Sequence, residues 1–278
     1  MHTTDIGIFK IAQTRVNWPE VAEWLKFLGV KNPGKVISEV NPSGPGTLDA
    51  AGLIALCGKR CYASFDIESG LNPNVTKIRT DLAEYITNIL KAGHGSVLEH
   101  ATWSFAIENV SRVFTGEMNR HRAGVAISEA SMRYIRFDDI GYTEPESILQ
   151  ESEPGDGPCP MFLTRKVFED AFSQMEKWNL DLCNIWKIEE MTDFTKKKQL
   201  TSMFRRIIGM GVSTGGVWTI NARALRHILA MRGSEHAEEE IYHVFDHIGE
   251  VMIKDEPLLF GDFTKDEAGS WVPKYPKV

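Results

Sequence analysis

Val217-Trp218-Thr219-Ile220-Asn221-Ala222-Arg223-Ala224-Leu225-Arg226-His227 runs on through Met231 to Arg232. Residues 217–220 are β-branched or aromatic and predict a short strand. Asn221 follows, a residue type whose side chain accepts a hydrogen bond from a helix's first turn. The spacing then predicts a helix over 221–231. A strand that passes directly into a helix places Asn221, Arg223 and His227 near a helix start, where dipole and free amides favour an anion. The plainer alternative is that Asn221 only caps and His227 is a satisfied, half-buried histidine.

Working outward, Trp103, Phe105 and Ile107 alternate with smaller residues and predict a second strand. Residues 6–16 and 132–137 read as further strands. Helices are expected over 17–28, 47–64, 74–92, 110–122, 196–208 and 236–254. Asn74 is the expected cap of the third and Gly93 its stop. Phe168, Phe172, Met175, Leu182 and Ile185 mark a long helix. Residues 32–45 and 151–160 are rich in Gly, Pro and Ser and read as loops, and the Pro-containing tail is expected to wrap a surface. No linker divides the chain, so the expectation is one α+β domain over 1–278, with a mixed or antiparallel sheet and several long helices.

The chain has 278 residues, 42% hydrophobic and 25% charged, which excludes disordered and collagen-like classes. No apolar run is long enough for a membrane span, and no secretion signal is legible, so the expected location is cytoplasmic. Cys57, Cys61, Cys159 and Cys183 fit no zinc spacing and read as free thiols. A net charge of -7 argues against general nucleic-acid binding. A local basic cluster can still focus field on a small anion.

Such a cluster exists. Arg120-His121-Arg122 is followed by Glu129, Ser131, Arg133 and Tyr134, with four arginines against one glutamate between residues 120 and 136. Guanidinium forks suit phosphate and carboxylate, because each donates two parallel hydrogen bonds. A solvated basic face is the plainer reading. His94-Gly95-Ser96-Val97-Leu98-Glu99-His100 is the third block; glycine allows close backbone approach to a ligand, and Ser96 with Glu99 also fits a capping box. His243 and His247 stand four apart but lack the HExxH order and read as a polar face. Cys159, between two prolines, has no local base to activate it.

Together these blocks resemble the flavin-dependent thymidylate synthases. That family's hallmark is Arg-His-Arg, a short spacer and Ser; here eight residues separate Arg122 from Ser131. The His-Gly-Ser-x-x-Glu-His block upstream and the Trp-Thr-x-Asn-Ala-Arg block downstream stand in family order. The resemblance covers residues 93–241 and implies that family's fold, with residues 1–45 as an N-terminal extension. It implies FAD against Ser96, Glu99, Arg120, His121, Arg122, Glu129, Asn221, Arg223 and His227. It implies a uridine nucleotide, dUMP or UMP, against Glu117, Arg120, Glu129, Ser131, Arg133, Arg205 and Arg232. Arg133 is assigned to the phosphate, and Arg232 to catalysis at the uracil ring. NADPH and 5,10-methylenetetrahydrofolate are the implied co-substrates, and a homotetramer with shared sites the implied assembly. Glu117 stands where the family usually has Gln, and Gly209 where it usually has Pro.

The chemistry is coherent with those residues. Methylating uracil C5 requires a carbon donor and a hydride, and no side chain supplies a hydride. The implied reaction is reductive methylation of dUMP. Its rivals are a sister enzyme acting on UMP and a nucleotide- or RNA-binding module without turnover.

Overall fold

The computed structural model describes residues 2–132, 141–145, 147–148 and 160–277, apart from the side chain of residue 161. Arg133, Tyr134 and Cys159, the expected strand 132–137 and most of the expected loop 151–160 lie outside the described residues. In chain order the elements are β1 (His2–Thr3), β2 (Gly7–Gln13), α1 (Trp18–Phe27), α2 (Pro33–Val40), α3 (Asp49–Cys61), α4 (Leu82–Ala92) and α5 (Gly95–Leu98). They continue as β3 (Thr102–Ser111), α6 (Arg112–Met118), β4 (Val125–Glu129), β5 (Gly141–Tyr142), α7 (Pro160–Ile185) and α8 (Phe194–Phe204). A 3-10 turn (Arg205–Ile207) leads to β6 (Ser213–Asn221), α9 (Ala222–Arg232), α10 (Glu239–Asp255), α11 (Pro257–Phe260), β7 (Phe263–Lys265) and β8 (Trp271–Pro273).

The class is α+β, as expected. The main sheet has the order β2-β3-β6-β4, and every pairing in it is antiparallel. β1 pairs with β5 in parallel. In the main register Phe105 lies opposite Trp218 and Trp103 opposite Ile220. These side chains are fully buried on one face, because alternate residues of a strand share a face. The other face is mixed: the Ser104 and Thr219 hydroxyls meet on it at 2.8 Å, and Ala106 lies on it between Val217 and the exposed Phe9. Helices cover the apolar face. Phe114 of α6 meets Trp218 edge-on at 5.7 Å, and Phe260 of α11 meets Trp103 at 5.7 Å.

Several sequence expectations are corrected. Residues 33–40 are helical rather than loop: the Asn32 side chain accepts from Lys35 N–H, and Pro33 sits in the first turn, where a proline costs no hydrogen bond. The cap of α4 is Asp81, which accepts from Glu84 N–H, not Asn74, which sits in a turn closed on Asn72. Gly93 ends α4 in the left-handed region at φ 71°. Ser96 and Glu99 form no capping box; His94 precedes α5, and Glu99 is turned to another element. The strand over 217–220 is longer, 213–221, and β4, over Val125–Glu129, is a strand without a sequence expectation.

Arg226 anchors the tail. It is 2% exposed and donates to both carboxylate oxygens of Asp262 at 2.6 and 2.9 Å, and to the carbonyl oxygen of Leu259. Removing one partner of such a buried pair strands the other charge. Asp262→Ala is therefore expected to destabilise the fold by about 3–5 kcal/mol, read as a lowered denaturant midpoint. A midpoint within error of wild type would refute the anchoring role.

Candidate active site

Two elements enter the site at one junction. β6 ends at Asn221, whose side chain accepts from Ala224 N–H at 2.9 Å and caps α9, as the sequence predicts. The Asn221 N–H donates to Gly124 O at 2.9 Å. Gly124 has φ 73°, and a Cβ there would stand 2.8 Å from Asn221 Cγ, so only glycine fits. The turn 119–124 carrying Arg120-His121-Arg122 is thereby pinned against the start of α9. The helix start is not an open row of amides, however. Ala222 N–H donates to Ala101 O at 2.8 Å, and Ala224 N–H is taken by the cap. An anion at this end would meet side chains more than backbone.

The exposed face of α9 presents Arg223 and, one turn on, His227. Arg223 pairs with Glu99 at 2.7 Å, both about half exposed. A Cβ on Gly95 would stand 2.8 Å from Arg223 Nε, so the glycine lets α5 approach α9. Ser96 is exposed beside them.

At the far end of α9, roughly 13 Å along the axis, lies the tightest group. Arg232 Nε donates to His121 Nε2 at 3.0 Å, and the same guanidinium pairs with the Glu117 carboxylate. The His227 ring stands 6.2 Å from that of His121. An imidazole nitrogen that accepts a hydrogen bond carries no proton, so His121 is neutral with its proton on Nδ1. Burial pushes the His121 pKa below its ordinary value, and the Arg232 and His227 charges push the same way.

Arg120 and Arg122 are exposed, and neither forms an ion pair among the described residues. Glu129 is drawn away from solvent by Arg112 and by Asn119 Nδ2 at 2.8 Å. Asn119 also accepts from Trp218 Nε1 at 3.4 Å. Sequence reading passed over Arg112 and Asn119. Their signal was faint: Arg112 begins a helix behind the capping Ser111, and Asn119 directly precedes the arginine pair. Ser131 is half-buried two residues past β4. Arg205 begins the 3-10 turn beside α8 and shares no hydrogen bond or ion pair with the group around Arg232. Beside Ser96 and Arg223 opens a cleft of about 650 Å³ between α3 and α4.

Residues 46–258 match the thymidylate synthase complementing protein family. This chain belongs to that family. Flavin-dependent thymidylate synthase of Mycolicibacterium vanbaalenii is 31% identical over 230 residues, covering 80% of this chain and 84% of the relative. The enzyme of the same name from Mycobacterium tuberculosis is 32% identical over 231 residues, covering 80% and 84%. That of Mycolicibacterium gilvum is 31% identical, covering 77% and 79%. The family match spans all three sequence blocks, and the structure joins them around α9. No group of three or more His, Cys, Asp or Glu able to hold a metal occurs among the described residues, and none of their helices is long and apolar enough to cross a membrane.

The neutral state of His121 has a measurable consequence. Its folded pKa lies below the ordinary 6.5, so on acidification the unfolded chain takes up the proton first. The stability it contributes is complete above pH 6.5 and declines as pH falls through 6.5 towards the folded pKa. The His121 resonance should titrate below 6.5 in wild type and move upward in Arg232→Gln. An unmoved midpoint in that variant would show that the two side chains do not interact in solution.

Proposed function

We propose that this chain is a flavin-dependent thymidylate synthase, which methylates C5 of dUMP reductively, with FAD as coenzyme, 5,10-methylenetetrahydrofolate as carbon donor and NADPH as reductant. The observation that carries the reading is Arg232, held by Glu117 and His121 at one end of the helix whose other end presents Arg223. We read residues 1–278 as one domain with the family's fold, residues 1–45 being an extension that packs on it through Trp18, Leu25 and Val36. We further take it to be a cytoplasmic homotetramer that binds neither nucleic acid nor membranes; Phe162, Trp178, Ile185 and Phe194 leave apolar surface exposed on α7 and α8, as a subunit interface requires.

The residues present fit FAD. Arg120 and Arg122 are solvent-facing guanidinium groups with no ion pair among the described residues, in a chain of net charge -7, which suits a pyrophosphate. Ser96, Arg223 and His227 face the same side of the Asn221 junction, and Glu99 holds Arg223 in place. When bound, the reduced flavin supplies the hydride that no side chain can give. Arg133, beyond the described residues, and Ser131 are assigned to the nucleotide phosphate, and Arg205 to the nucleotide from its separate turn. Completing the site with Arg205 would require convergence across protomers.

Arg232 has five N–H donors, of which Glu117 and His121 occupy two. The remainder have no acceptor among the described residues and would donate to a uracil ring as negative charge develops there, which is preorganised electrostatic stabilisation. Glu117 thus acts chiefly by aiming Arg232. Glu129, held by Arg112 and Asn119, is a fixed acceptor at the edge of the nucleotide and coenzyme sites.

Purified protein is expected to show an oxidised-flavin absorbance spectrum and to turn over dUMP in preference to UMP. A colourless protein that takes up no flavin, or a clear preference for UMP, would defeat the reading. Arg232→Ala is expected to retain FAD and lose roughly a hundredfold or more in turnover; near-normal rates would remove its catalytic role. His121→Ala and Arg122→Ala should each weaken FAD retention, and both purifying fully loaded would contradict the coenzyme assignment.

A further inference from the structure

A separate cavity of about 650 Å³ opens among the residues that precede β2, the segment after β5, α7 and the start of α10. None of its lining residues is assigned to the coenzyme or the nucleotide. Its volume falls within the roughly 300–1,000 Å³ of small-molecule sites. Much of the wall is apolar: Ile6, Val113, Phe168, Phe172 and Met210. Phe172 is fixed in place. Its ring stacks on Tyr142 at 4.9 Å, 11° from parallel, and a Cβ on Gly211 would stand 2.9 Å from Phe172 Cζ, so the glycine lets the ring lie against the backbone.

Five carboxylates share this wall: Asp5, Glu144, Glu238, Glu239 and Glu240. No lysine or arginine lines the cavity among the described residues. Glu144 pairs with Arg165. The other four pair with no lysine or arginine among the described residues. Hydrogen bonds hold three of them without neutralising them. Glu238 caps α10 by accepting from Glu240 N–H at 3.0 Å, Glu240 accepts from Ser111 N–H at 2.6 Å, and Glu239 accepts from Ser147 N–H at 3.1 Å. Burial pushes the pKa of Glu238 and of Glu240 up, a cost that a cation placed among them would offset. The carboxylates ring the space and do not converge, since no three of the described His, Cys, Asp and Glu residues are placed to hold a metal ion.

Aromatic faces attract cations, and a carboxylate in apolar surroundings is costly without a counter-charge. A metal ion would leave the apolar wall unused, and an anion would meet like charge. We propose that this cavity binds a small organic cation with an apolar body, a primary amine carried on an aromatic or branched aliphatic group. The body lies on Phe168 and Phe172, and the ammonium faces the carboxylates. Glu238 and Glu240 each support a helix start, through the α10 cap and through Ser111 at the head of α6. Asp5 and Glu239 do not, so these two test the charge without disturbing a cap.

The experiment titrates the full-length protein with three probes of similar shape: phenethylamine, the uncharged phenethyl alcohol and the anionic hydrocinnamate. Each is followed by calorimetry and by the methyl resonance of Met210. The amine is expected to bind, to shift that resonance, and to bind at least about tenfold more tightly than the alcohol; hydrocinnamate should not bind. Asp5→Asn combined with Glu239→Gln should cut the preference for the amine severalfold while the affinity for the alcohol holds. Asp5 is exposed, so Asp5→Asn alone serves if the double variant does not fold. Phe168→Ala should weaken both ligands. Equal affinity for amine and alcohol overturns the choice of a cation. A Met210 resonance that stays in place, or amine affinity unchanged in every variant, puts binding elsewhere and overturns the site. An amine that does not bind overturns the proposal outright. No readout involves flavin or nucleotide, so the outcome is separate from that of the synthase reading.

Discussion

The site depends on one backbone contact, from Asn221 N–H to Gly124 O at 2.9 Å. Asn221 does three things at once: it closes the pairing of β6, caps α9, and docks the turn that carries Arg120, His121 and Arg122. Each role constrains the others. The cap requires Asn221 in extended backbone, φ -78° and ψ 162°, which is the geometry a strand delivers. The docking requires a turn with no Cβ at residue 124. Nothing bulkier than glycine there would leave the Asn221 side chain in its capping position.

From that junction α9 acts as a ruler. Its buried face, Ala222, Leu225, Ile228 and Leu229, fixes its rotation against the core, so Arg223 and His227 must face out. The arginines then divide by position. Arg226 borders the buried stripe and turns inward to Asp262, where it secures the tail. Arg223 lies clear of that stripe and is half exposed, whereas Arg232 continues the stripe into the last turn, four residues past Ile228, with a side chain only 15% exposed.

The fold was legible wherever hydrophobic period and caps agreed. The 217–231 stretch, the Trp103 strand, α1 and the stop of α4 at Gly93 came directly from pattern. Misses arose where composition suggested a turn but a local hydrogen bond decided otherwise. Pro33 and Gly34 read as breakers, yet Asn32 caps and the proline falls where it is tolerated. β4 is short and follows a basic turn, so its pairing with β6 depends on tertiary contacts that no local window contains. Of the site, the residue types and their grouping into blocks were readable. Which arginine is structural, that Glu99 binds Arg223 instead of capping α5, and that Arg112 and Asn119 hold Glu129, all depend on contacts distant in sequence.

The charge state at Arg232 follows from its partners. A guanidinium with two cationic neighbours would repel itself from the site; one with two carboxylates would be fully neutralised and offer little to an electron-rich ring. Here Glu117 cancels one charge, and His121, kept neutral by burial and by Arg232 itself, cancels none. The group therefore gains orientation from both contacts. Its charge is offset by only one, and that carboxylate is 29% exposed, so solvent weakens its hold. Replacing Glu117 by an uncharged residue of similar length would leave more net positive charge but less certain aim. Catalysis by preorganised donors depends on aim as well as charge, because the donors must already point where charge develops.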